Sequence, residues 1–311
     1  MGVRCRTCGL SANFPRANFE AGICRLCRNV QTNNRTNHKL SLAELEKSVI
    51  DLLTKHSSNG ILVALSGGKD SCYTLEILRN RFQIDCVAML LDNGYTSDNA
   101  KKNCELICDI TKTDLITVRV PKPVMDSYYK NALNKNIPSD TPFLQRASAL
   151  CNGCITMVNN RALTLANQFN YKVVAGGYIQ GQIPSGQFYY ELSKEFLERR
   201  INGISGNSEI LNNMVMMSPL VALDYNEKQI LEFLTSKGWK RSQDTGAHSS
   251  NCQINDLGIL NHVERYGFHP YEAELTTQVR NGAMSRTEAI SRIETEIDLN
   301  RVEIIRKKLN N

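Results

Sequence analysis

Residues 66–71 read Ser-Gly-Gly-Lys-Asp-Ser. The apolar run 61–65 (Ile-Leu-Val-Ala-Leu) comes directly before them, and residues 72–78 (Cys-Tyr-Thr-Leu-Glu-Ile-Leu) come directly after. This order predicts a buried strand, a glycine-rich turn and the start of an amphipathic helix. Such a turn points backbone N–H groups, a helix N-terminus, Lys69 and two hydroxyl groups at one spot, which favours a phosphate-binding cradle. The spacing is not that of a Walker loop, since Gly-x-x-x-x-Gly-Lys is absent.

These residues make the segment similar to the PP-loop of ATP pyrophosphatases, which cleave ATP between the α and β phosphates and leave AMP on a substrate oxygen. The resemblance implies that Lys69 neutralises phosphate charge and that Asp70 is a ligand for magnesium. The hydroxyls of Ser66 and Ser71 are expected to donate hydrogen bonds to phosphate oxygens. In this family the attacking group belongs to the substrate, so the protein positions the reactants and stabilises charge. The alternative is a tight turn that simply needs two glycines.

The composition is that of an ordinary globular chain. Hydrophobic residues make up 41% of its 311 residues and charged residues 22%, which favours a domain of usual size with one or two small modules. The longest apolar runs have five or six residues, too few to span a membrane. The chain starts without an apolar signal region, so we expect a cytoplasmic protein. Its net charge of +6 permits an anionic partner without requiring nucleic acid.

Eleven cysteines in a chain without a secretion signal favour metal and thiol chemistry over disulfide bonds. Cys5-x-x-Cys8 and Cys24-x-x-Cys27 are separated by 15 residues, which predicts two knuckles that close one tetrahedral thiolate site. Zinc is the expected metal; an iron–sulfur cluster and a redox dithiol pair are the alternatives. Four protein ligands leave no open position, so the site is predicted to be structural and to hold a zinc ribbon over residues 1–30. Core packing is expected for four other cysteines, Cys72, Cys86, Cys104 and Cys108.

Strand and helix patterns alternate from residue 60 onward, which predicts an α/β fold with a doubly wound parallel sheet. The predicted strands are 61–65, 84–91, 115–120 and 172–176, and the predicted helices between the first three are 70–81 and 97–110. Residues 29–37 are polar and are interpreted as a linker, which leads to the capping box of Ser41 and Glu44. The predicted units are a zinc ribbon at 1–30, a linker and helix at 31–57, a PP-loop ATP-binding domain of HUP-like type at 58–240, and a C-terminal helical region at 241–311.

Ligands of such sheets bind beyond the carboxyl ends of the strands. Residues 66–71 and the loop 92–94 (Asp-Asn-Gly) both fall at such ends. We expect them to flank one nucleotide, with the phosphates on the first and the adenosine near the second. The residues predicted to contact ATP are Ala64, Leu65, Ser66, Gly67, Gly68, Lys69, Asp70, Ser71, Leu91, Asp92 and Gly176.

A second set of cysteines bears on the step after adenylation. Cys151-Asn-Gly-Cys154 opens an amphipathic helical run, where the helix dipole favours thiolate. Cys252 lies in a polar loop, and two cysteines in one turn with a third far away resemble the tRNA thiolases of the PP-loop class. The resemblance implies that Cys151, Cys154 and Cys252 hold a [4Fe-4S] cluster with one iron open to bind sulfur. A persulfide, a zinc site and ordinary core packing are the alternatives.

Two stretches differ from the thiolase pattern and leave the acceptor open. Thiolases usually have Gly-His-Asn-x-Asp-Asp after the fourth strand, where this chain has Gly-Gly-Tyr-Ile-Gln-Gly-Gln at 176–182. They have Pro-Leu-Arg where this chain has Pro-Leu-Val at 219–221. The first difference removes acidic metal ligands that the resemblance would imply.

The tail is similar to the end of the N-acetyl sugar amidotransferases of surface-glycan pathways. The similar stretches are 265–268 (Arg-Tyr-Gly-Phe) and 279–289 (Val-Arg-Asn-Gly-Ala-Met-Ser-Arg-Thr-Glu-Ala). Those proteins are also PP-loop enzymes with an N-terminal Cys-x-x-Cys pair, but they deliver nitrogen and typically need a glutaminase partner. Plain helix capping by Ser285 and Glu288 is the alternative account of this tail.

Three function classes are consistent with these patterns. The leading prediction is an ATP-dependent sulfurtransferase that adenylates a carbonyl oxygen, releases pyrophosphate and replaces the oxygen with sulfur. Its catalytic residues would be Lys69, Asp70, Cys151, Cys154 and Cys252, and its cofactors ATP, Mg²⁺, Zn²⁺ and a [4Fe-4S] cluster. Its partners would be a tRNA or small-molecule acceptor and a sulfide or protein sulfur donor, with a homodimer compatible and no membrane. The alternatives are an amidotransferase that transfers ammonia to an N-acetyl sugar, and a non-catalytic binding module.

Overall fold

The computed structural model describes residues 2–33, 39–183, 187–193, 211 and 213–310. Its strands are β1 (Ile61–Ala64), β2 (Cys86–Asp92), β3 (Asp114–Arg119), β4 (Val173–Gly176), β5 (Tyr189–Glu191) and β6 (Val215–Met217). Its helices are α1 (Arg25–Asn33), α2 (Leu42–Lys55), α3 (Lys69–Glu76), α4 (Asp98–Thr111), α5 (Lys122–Asn134), α6 (Ala149–Gln168), α7 (Glu227–Ser236), α8 (Asn255–Tyr266), α9 (Glu272–Arg280), α10 (Arg286–Ile293) and α11 (Leu299–Asn310). Within the described residues, no helix is long and apolar enough to cross a membrane.

One six-stranded sheet, in the order β3-β2-β1-β4-β6-β5, lies at the centre of the fold. Its neighbouring strands run parallel except for β5, which pairs antiparallel with β6 at the edge. Helices separate the parallel strands in sequence because a parallel pair needs a long crossover. The predicted α/β class with a parallel sheet is confirmed, and the antiparallel edge strand β5 is an addition to it. Ala64 at the end of β1 pairs with Met89 of β2 and with Gly176 of β4, so the loops after β1 and β4 leave the sheet at the same level.

The apolar strand residues alternate between two core clusters, one on each face of the sheet. In β1, Val63 packs with residues of α2, α3 and α7, whereas Leu62 packs with residues of α6. Both side chains are fully buried, and such burial stabilises a fold by about 1.5–3 kcal/mol for each side chain. The cysteines that were expected in the core are buried in the first cluster, as predicted: Cys72, Cys86, Cys104 and Cys108.

Residues 2–33 form a small module that packs against the C-terminal helices. The ring of Phe14 meets the ring of Phe268 edge-on, with the ring centres 5.2 Å apart. Arg286 of α10 donates a hydrogen bond to the carbonyl oxygen of Cys5 at 3.1 Å. A segment of this length buries too little apolar surface to fold alone, so these contacts and a metal are expected to hold it.

Helix α9 has one side toward this N-terminal module and one side toward the central cavity. The buried carboxylate of Glu272 accepts a hydrogen bond from the Ser11 N–H at 2.9 Å. Two residues later, Glu274 lines the cavity. Residues two apart lie on nearly opposite sides of an α-helix, so α9 forms a wall between the module and the cavity.

The element ends differ from the predicted ones in two places. The helix predicted at 70–81 begins at Lys69, and its α-helical part ends at Glu76, after which a π-helical turn runs over Ile77–Arg81. The predicted linker at 29–37 is wrong in its first part, because α1 continues to Asn33 with no apolar residue after Val30 to mark it. Residues 34–38 lie outside the described residues. The capping box of Ser41 and Glu44 is present, and the limits of the four predicted units stay predictions.

Candidate functional site

The loop after β1 forms a narrow turn that requires glycine at residue 67. Gly67 has a φ of +73°, and a Cβ atom there would lie 1.9 Å from the carbonyl oxygen of Ala100 in α4. The Gly67 carbonyl accepts hydrogen bonds from the Trp239 indole at 3.0 Å and from the Asn103 side chain at 3.2 Å. The turn is therefore fixed by two elements that are far from it in sequence.

Two serine hydroxyls hold this turn against the helix that comes next. Ser71 donates to the Gly68 carbonyl at 3.0 Å and accepts a hydrogen bond from the Ser66 N–H at 3.1 Å. The two hydroxyl oxygens lie 3.0 Å apart. Helix α3 starts at Lys69 without a side-chain cap, so its first N–H groups are open to an anion. Residues 66–71 therefore have the shape and the donors of a phosphate cradle.

Lys69 lies within a cluster of charged groups. Its ammonium nitrogen is 2.7 Å from Asp70 Oδ2 and 3.4 Å from Glu227 Oε1, and it lies 5.6 Å from the centre of the Tyr225 ring. Tyr225 donates to Asp70 Oδ1 at 2.7 Å, and Arg292 pairs with Glu227 at 2.6 Å. Although burial opposes the effect, Lys69 and Arg292 hold the pKa of Glu227 below its usual range. The sequence interpretation missed Tyr225, Glu227 and Arg292 because no pattern around them connects them with the turn.

Glu274 brings a third carboxyl group to this cluster, beside those of Asp70 and Glu227. Burial raises the pKa of Glu274 to about 7, and the negative charge of Asp70 adds to the shift, while a hydrogen bond with Gln182 opposes it. Tyr178 and Gln182, from the stretch that differs from the thiolase pattern, line the same cavity. Acidic groups are therefore present here, but they come from α7 and α9 and not from the loop after β4.

A cavity of about 1450 Å³ extends from the cradle. Most residues predicted to contact ATP line it: Ala64, Leu65, Ser66, Gly68, Lys69, Asp70, Ser71, Leu91 and Gly176. Gly67 and Asp92 are not among its lining residues. Gly67 instead supplies the carbonyl that fixes the turn.

The carboxylate of Asp92, at the end of β2, makes ion pairs and a backbone hydrogen bond within the protein. Its carboxylate pairs with Lys101 at 3.1 Å and with Arg119 at 3.5 Å, and it accepts the Gly94 N–H at 3.0 Å. Burial opposes these contacts, but together they hold the pKa of Asp92 below its usual range. The next residue, Asn93, lines the cavity and was not among the predicted contacts.

Cys151 and Cys154 lie at the start of α6, are partly exposed and line the cavity. Ser148 caps the helix by accepting the Cys151 N–H at 3.3 Å. Burial raises the pKa of both thiols, although hydrogen bonds with Ser148 and Asn255 oppose the shift at Cys151, and one with Asn93 opposes it at Cys154. The prediction that the helix start makes these sulfurs thiolate is therefore wrong for the thiols by themselves, because burial outweighs the dipole.

Cys252 reaches the same cavity from a distant loop. Its backbone pairs with Thr96 in an isolated antiparallel bridge, which ties this loop to the loop after β2. A Cβ atom at Gly68 would lie 3.2 Å from the Ser250 hydroxyl, so the loop also approaches the cradle. Burial raises the pKa of Cys252 to about 12, and the two thiols of α6 add to the shift. The three cysteines thus lie beside one cavity.

The N-terminal cysteines form a tighter group. The sulfur atoms of Cys5, Cys8, Cys24 and Cys27 all lie within 4.8 Å of one another, and no other group of three or more Cys, His, Asp or Glu in the described part of the chain does so. The Cys5–Cys27 and Cys8–Cys24 sulfur pairs are 3.9 and 3.7 Å apart. A tetrahedron with metal–sulfur bonds of about 2.3 Å has an edge of about 3.8 Å. The predicted grouping is confirmed, and it fits one tetrahedral metal ion.

Charge in this group also suits a cation. Hydrogen bonds with Cys27 and Cys8 lower the pKa of Cys24, and the contact with Cys24 raises the pKa of Cys27. Arg280 of α9 donates to the Cys8 sulfur at 3.4 Å. Thiols that share protons at such short distances release them when a divalent metal binds.

Comparisons with known proteins give distant matches. No family model matches the chain. An uncharacterized protein of Methanocaldococcus jannaschii is 20% identical over 251 residues, which are 81% of this chain and 78% of that protein. Among solved structures, the U34-tRNA thiolase NcsA from Methanococcus maripaludis with its [4Fe-4S] cluster has a TM-score of 0.39 and 15% identity, with 96% of this chain and 91% of that chain covered.

Two synthetases are similar to a comparable degree. The NMN synthetase from Francisella tularensis has a TM-score of 0.42 and 11% identity, with 80% of this chain and 96% of that chain covered. The NH3-dependent NAD synthetase from Campylobacter jejuni has a TM-score of 0.41 and 12% identity, with 80% and 97% covered. All three TM-scores are below 0.5, so these likenesses do not indicate a function for this chain. The function has to be inferred from the residues of the cavity.

Proposed function

We propose that this protein is an ATP-dependent sulfurtransferase that adenylates a carbonyl oxygen of its acceptor and replaces that oxygen with sulfur. One observation carries the proposal: residues of the cradle at 66–71 and the cysteines Cys151, Cys154 and Cys252 line the same cavity. A sulfur carrier is useful only if it reaches the carbon that ATP has activated, and a shared cavity supplies that access. Core packing alone does not account for three partly exposed thiols.

In the first step, the carbonyl oxygen of the acceptor attacks the α-phosphorus of ATP. A new P–O bond forms, the bond to the bridging oxygen breaks, and pyrophosphate leaves with the electron pair. The N–H groups at the start of α3 and the ammonium of Lys69 stabilise the charge on the phosphates. Asp70 and Glu227 already orient Lys69. Magnesium prefers carboxylate and phosphate oxygens, so Asp70 is the residue expected to hold it with ATP.

In the second step, a sulfur nucleophile attacks the adenylated carbon, the C–O bond breaks, and AMP leaves. Cys151, Cys154 and Cys252 would hold a [4Fe-4S] cluster, because all three line the cavity and two of them accept hydrogen bonds from amide N–H groups. When bound by three cysteines, such a cluster supplies one open iron that binds a sulfur atom.

For the N-terminal cysteines we propose structural zinc. Four sulfur ligands close the coordination shell, so the metal has no open position for a substrate. The proposed acceptor is a tRNA base or a small molecule with a carbonyl group, and the proposed sulfur source is sulfide or a donor protein. The cavity, at about 1450 Å³, exceeds the usual range of about 300–1,000 Å³ for one small ligand, so ATP and the reacting part of an acceptor fit together.

The test is a transfer assay with anaerobically purified protein. Labelled sulfide and MgATP are added with either total tRNA or a small-metabolite extract. We expect ATP-dependent labelling of one pool, AMP and pyrophosphate in equal amounts, and about four irons per chain, as a [4Fe-4S] cluster requires.

Two results would overturn the proposal. Release of ADP and phosphate would exclude adenylation. An iron-free protein that incorporates labelled ammonia but no sulfide would instead favour an amidotransferase that acts on an N-acetyl sugar, and a glutaminase partner should then be sought.

A further inference from the structure

Two asparagine side chains at the cavity each donate a hydrogen bond to a cysteine sulfur and to a tyrosine oxygen, and Asn93 also contacts Cys252. Asn93 Nδ2 lies 3.3 Å from Cys154 Sγ and 3.0 Å from Tyr129 Oη. Asn255 Nδ2 lies 3.5 Å from Cys151 Sγ and 2.6 Å from Tyr271 Oη. The two arrangements come from different parts of the fold, since Asn93 lies just after β2 and Asn255 begins α8.

The loop after β2 fixes which end of the Asn93 amide faces the sulfur. Its carbonyl oxygen accepts the Tyr95 N–H at 2.9 Å and the Thr96 hydroxyl at 3.2 Å. The oxygen is thereby occupied within the loop, and the NH₂ group is left for Cys154 and Tyr129. Asn93 is only 4% exposed, so water cannot easily take the place of either contact.

The amide of Asn255 is not oriented in this way. Its carbonyl oxygen is buried and has no hydrogen-bond partner among the described residues, and the whole residue is 4% exposed. A buried polar atom without a partner is unfavourable for folding. The hydrogen bonds of this side chain are therefore made by its NH₂ group, which contacts Cys151 and Tyr271.

We propose that Asn93 and Asn255 are positioning residues that donate N–H···S hydrogen bonds and so hold two cysteine sulfurs in place for the sulfur-transfer group. This inference rests on the proposed function and deepens it. Hydrogen bonds to ligand sulfurs orient them and stabilise the negative charge that a metal-bound sulfur carries. Asn93 also belongs to the loop where the adenosine is expected, so a single side chain joins the nucleotide end of the cavity to the sulfur end.

The test uses substitutions that remove the donor and keep the shape. Asn93→Asp retains an acceptor for the Tyr95 N–H and loses the N–H donors, and Asn255→Asp makes the same change at the second position. Asn152→Asp is the matched control. Asn152 lines the cavity between the two cysteines, so its replacement by Asp introduces the same negative charge nearby without removing an N–H···S bond. Asn93→Leu and Asn255→Leu, whose side chains have no hydrogen-bond donor, give the same test if an aspartate variant does not fold.

Two measurements separate this inference from the proposed function. In the cluster-loaded protein, both aspartate variants should have a more negative reduction potential than wild type and Asn152→Asp, since hydrogen bonds to the sulfurs raise it. In the metal-free protein, iodoacetamide labelling at one pH is monitored for each cysteine by mass spectrometry. Asn93→Asp should slow labelling of Cys154 about tenfold relative to Asn152→Asp, as the loss of a hydrogen bond to a charged group implies, and leave Cys151 unchanged.

Asn255→Asp should give the reverse pattern, with Cys151 slowed and Cys154 unchanged. Equal labelling of both cysteines in wild type, the control and the two variants would overturn the inference. A wild-type protein without iron would overturn the sulfurtransferase proposal, while the labelling pattern would still decide whether the asparagines act on the sulfurs.

Discussion

The two sets of cysteines in this chain are built in different ways. The N-terminal four come from two close knuckles, are almost completely buried, and place all their sulfurs within 4.8 Å of one another. Cys151, Cys154 and Cys252 come from a helix start and a distant loop, are partly exposed, and border a cavity. Four ligands close the coordination of a metal, whereas three ligands beside a cavity leave a position for chemistry. Enclosure, more than the type of ligand, therefore separates the set proposed to be structural from the set proposed to be reactive.

The largest expected effect comes from removing one ligand of the reactive set. Cys252→Ser should abolish sulfur transfer and cluster binding, and it should leave ATP binding and zinc content at the wild-type level. The cradle makes its hydrogen bonds without this thiol, so nucleotide binding does not depend on it. Elemental analysis and calorimetry with ATP measure the outcome. Cys86→Ser, at a core position of β2, is the control that should keep all three properties; loss of ATP binding in Cys252→Ser would contradict the separation.

The same change in the N-terminal set should remove the other metal. Cys8→Ser is expected to lose zinc and to unfold residues 2–33, because a structural zinc site of this kind contributes about 10–16 kcal/mol of apparent binding energy to folding. ATP binding should remain. Limited proteolysis of the N-terminal module and zinc analysis check this prediction. An unchanged protease pattern, or a wild-type protein without zinc, would contradict it.

Lys69→Ala should affect neither set of cysteines and should still stop most of the chemistry. AMP formation is expected to fall at least about 100-fold, the usual loss when a preorganised charge-stabilising group is removed. Iron and zinc contents should equal those of wild type. Lys237→Ala, an exposed position outside the cavity, is the control for the loss of one positive charge. Wild-type AMP formation in Lys69→Ala would exclude its role at the phosphates.

The smallest effect concerns the junction between the N-terminal module and the C-terminal helices. His262 is buried, packs edge-on against Phe268 at 4.8 Å, and has its pKa lowered by burial from 6.5 to about 4. Because the folded protein keeps His262 neutral, its contribution to the free energy of unfolding is complete above pH 6.5. This contribution decreases as the pH falls from 6.5 to about 4, because the unfolded chain binds the proton first. His262→Phe should therefore lose a few degrees less in melting temperature between pH 6.5 and 4 than wild type. Equal losses in both proteins would contradict this assignment.

Features that depend on neighbouring residues could be predicted from the sequence. The strand, turn and helix around 66–71 result from an apolar run, two glycines and a helical periodicity. Each Cys-x-x-Cys pair lies in a short local turn, which brings its two sulfurs together, and the spacing of the two pairs predicts that they share one site. The parallel sheet results from the alternation of strands and helices, since parallel strands need long crossovers.

Features that depend on packing could not be predicted in this way. Tyr225, Glu227 and Glu274 reach the cradle from elements far along the chain, and their own surroundings in sequence carry no phosphate-binding pattern. The helix start at Cys151 favours thiolate in principle, but burial, which the sequence does not display, reverses the sign of the pKa shift. The sequence predicts that Asp92, at the end of β2, contacts ATP, but it does not display the ion pairs that Asp92 makes with Lys101 and Arg119.

The wall formed by α9 has a practical consequence for anyone who prepares this protein. A chelator in the purification buffer would take the metal from the N-terminal module, and Glu272 would then lose the Ser11 contact that supports the outer side of the helix. The inner side, with Glu274, belongs to the cavity, so we expect such a preparation to bind ATP but to have lower activity, even with added magnesium. Inhibition by a chelator would be mistaken for a need for magnesium in the reaction, and adding zinc back before magnesium is the step that tells the two causes apart.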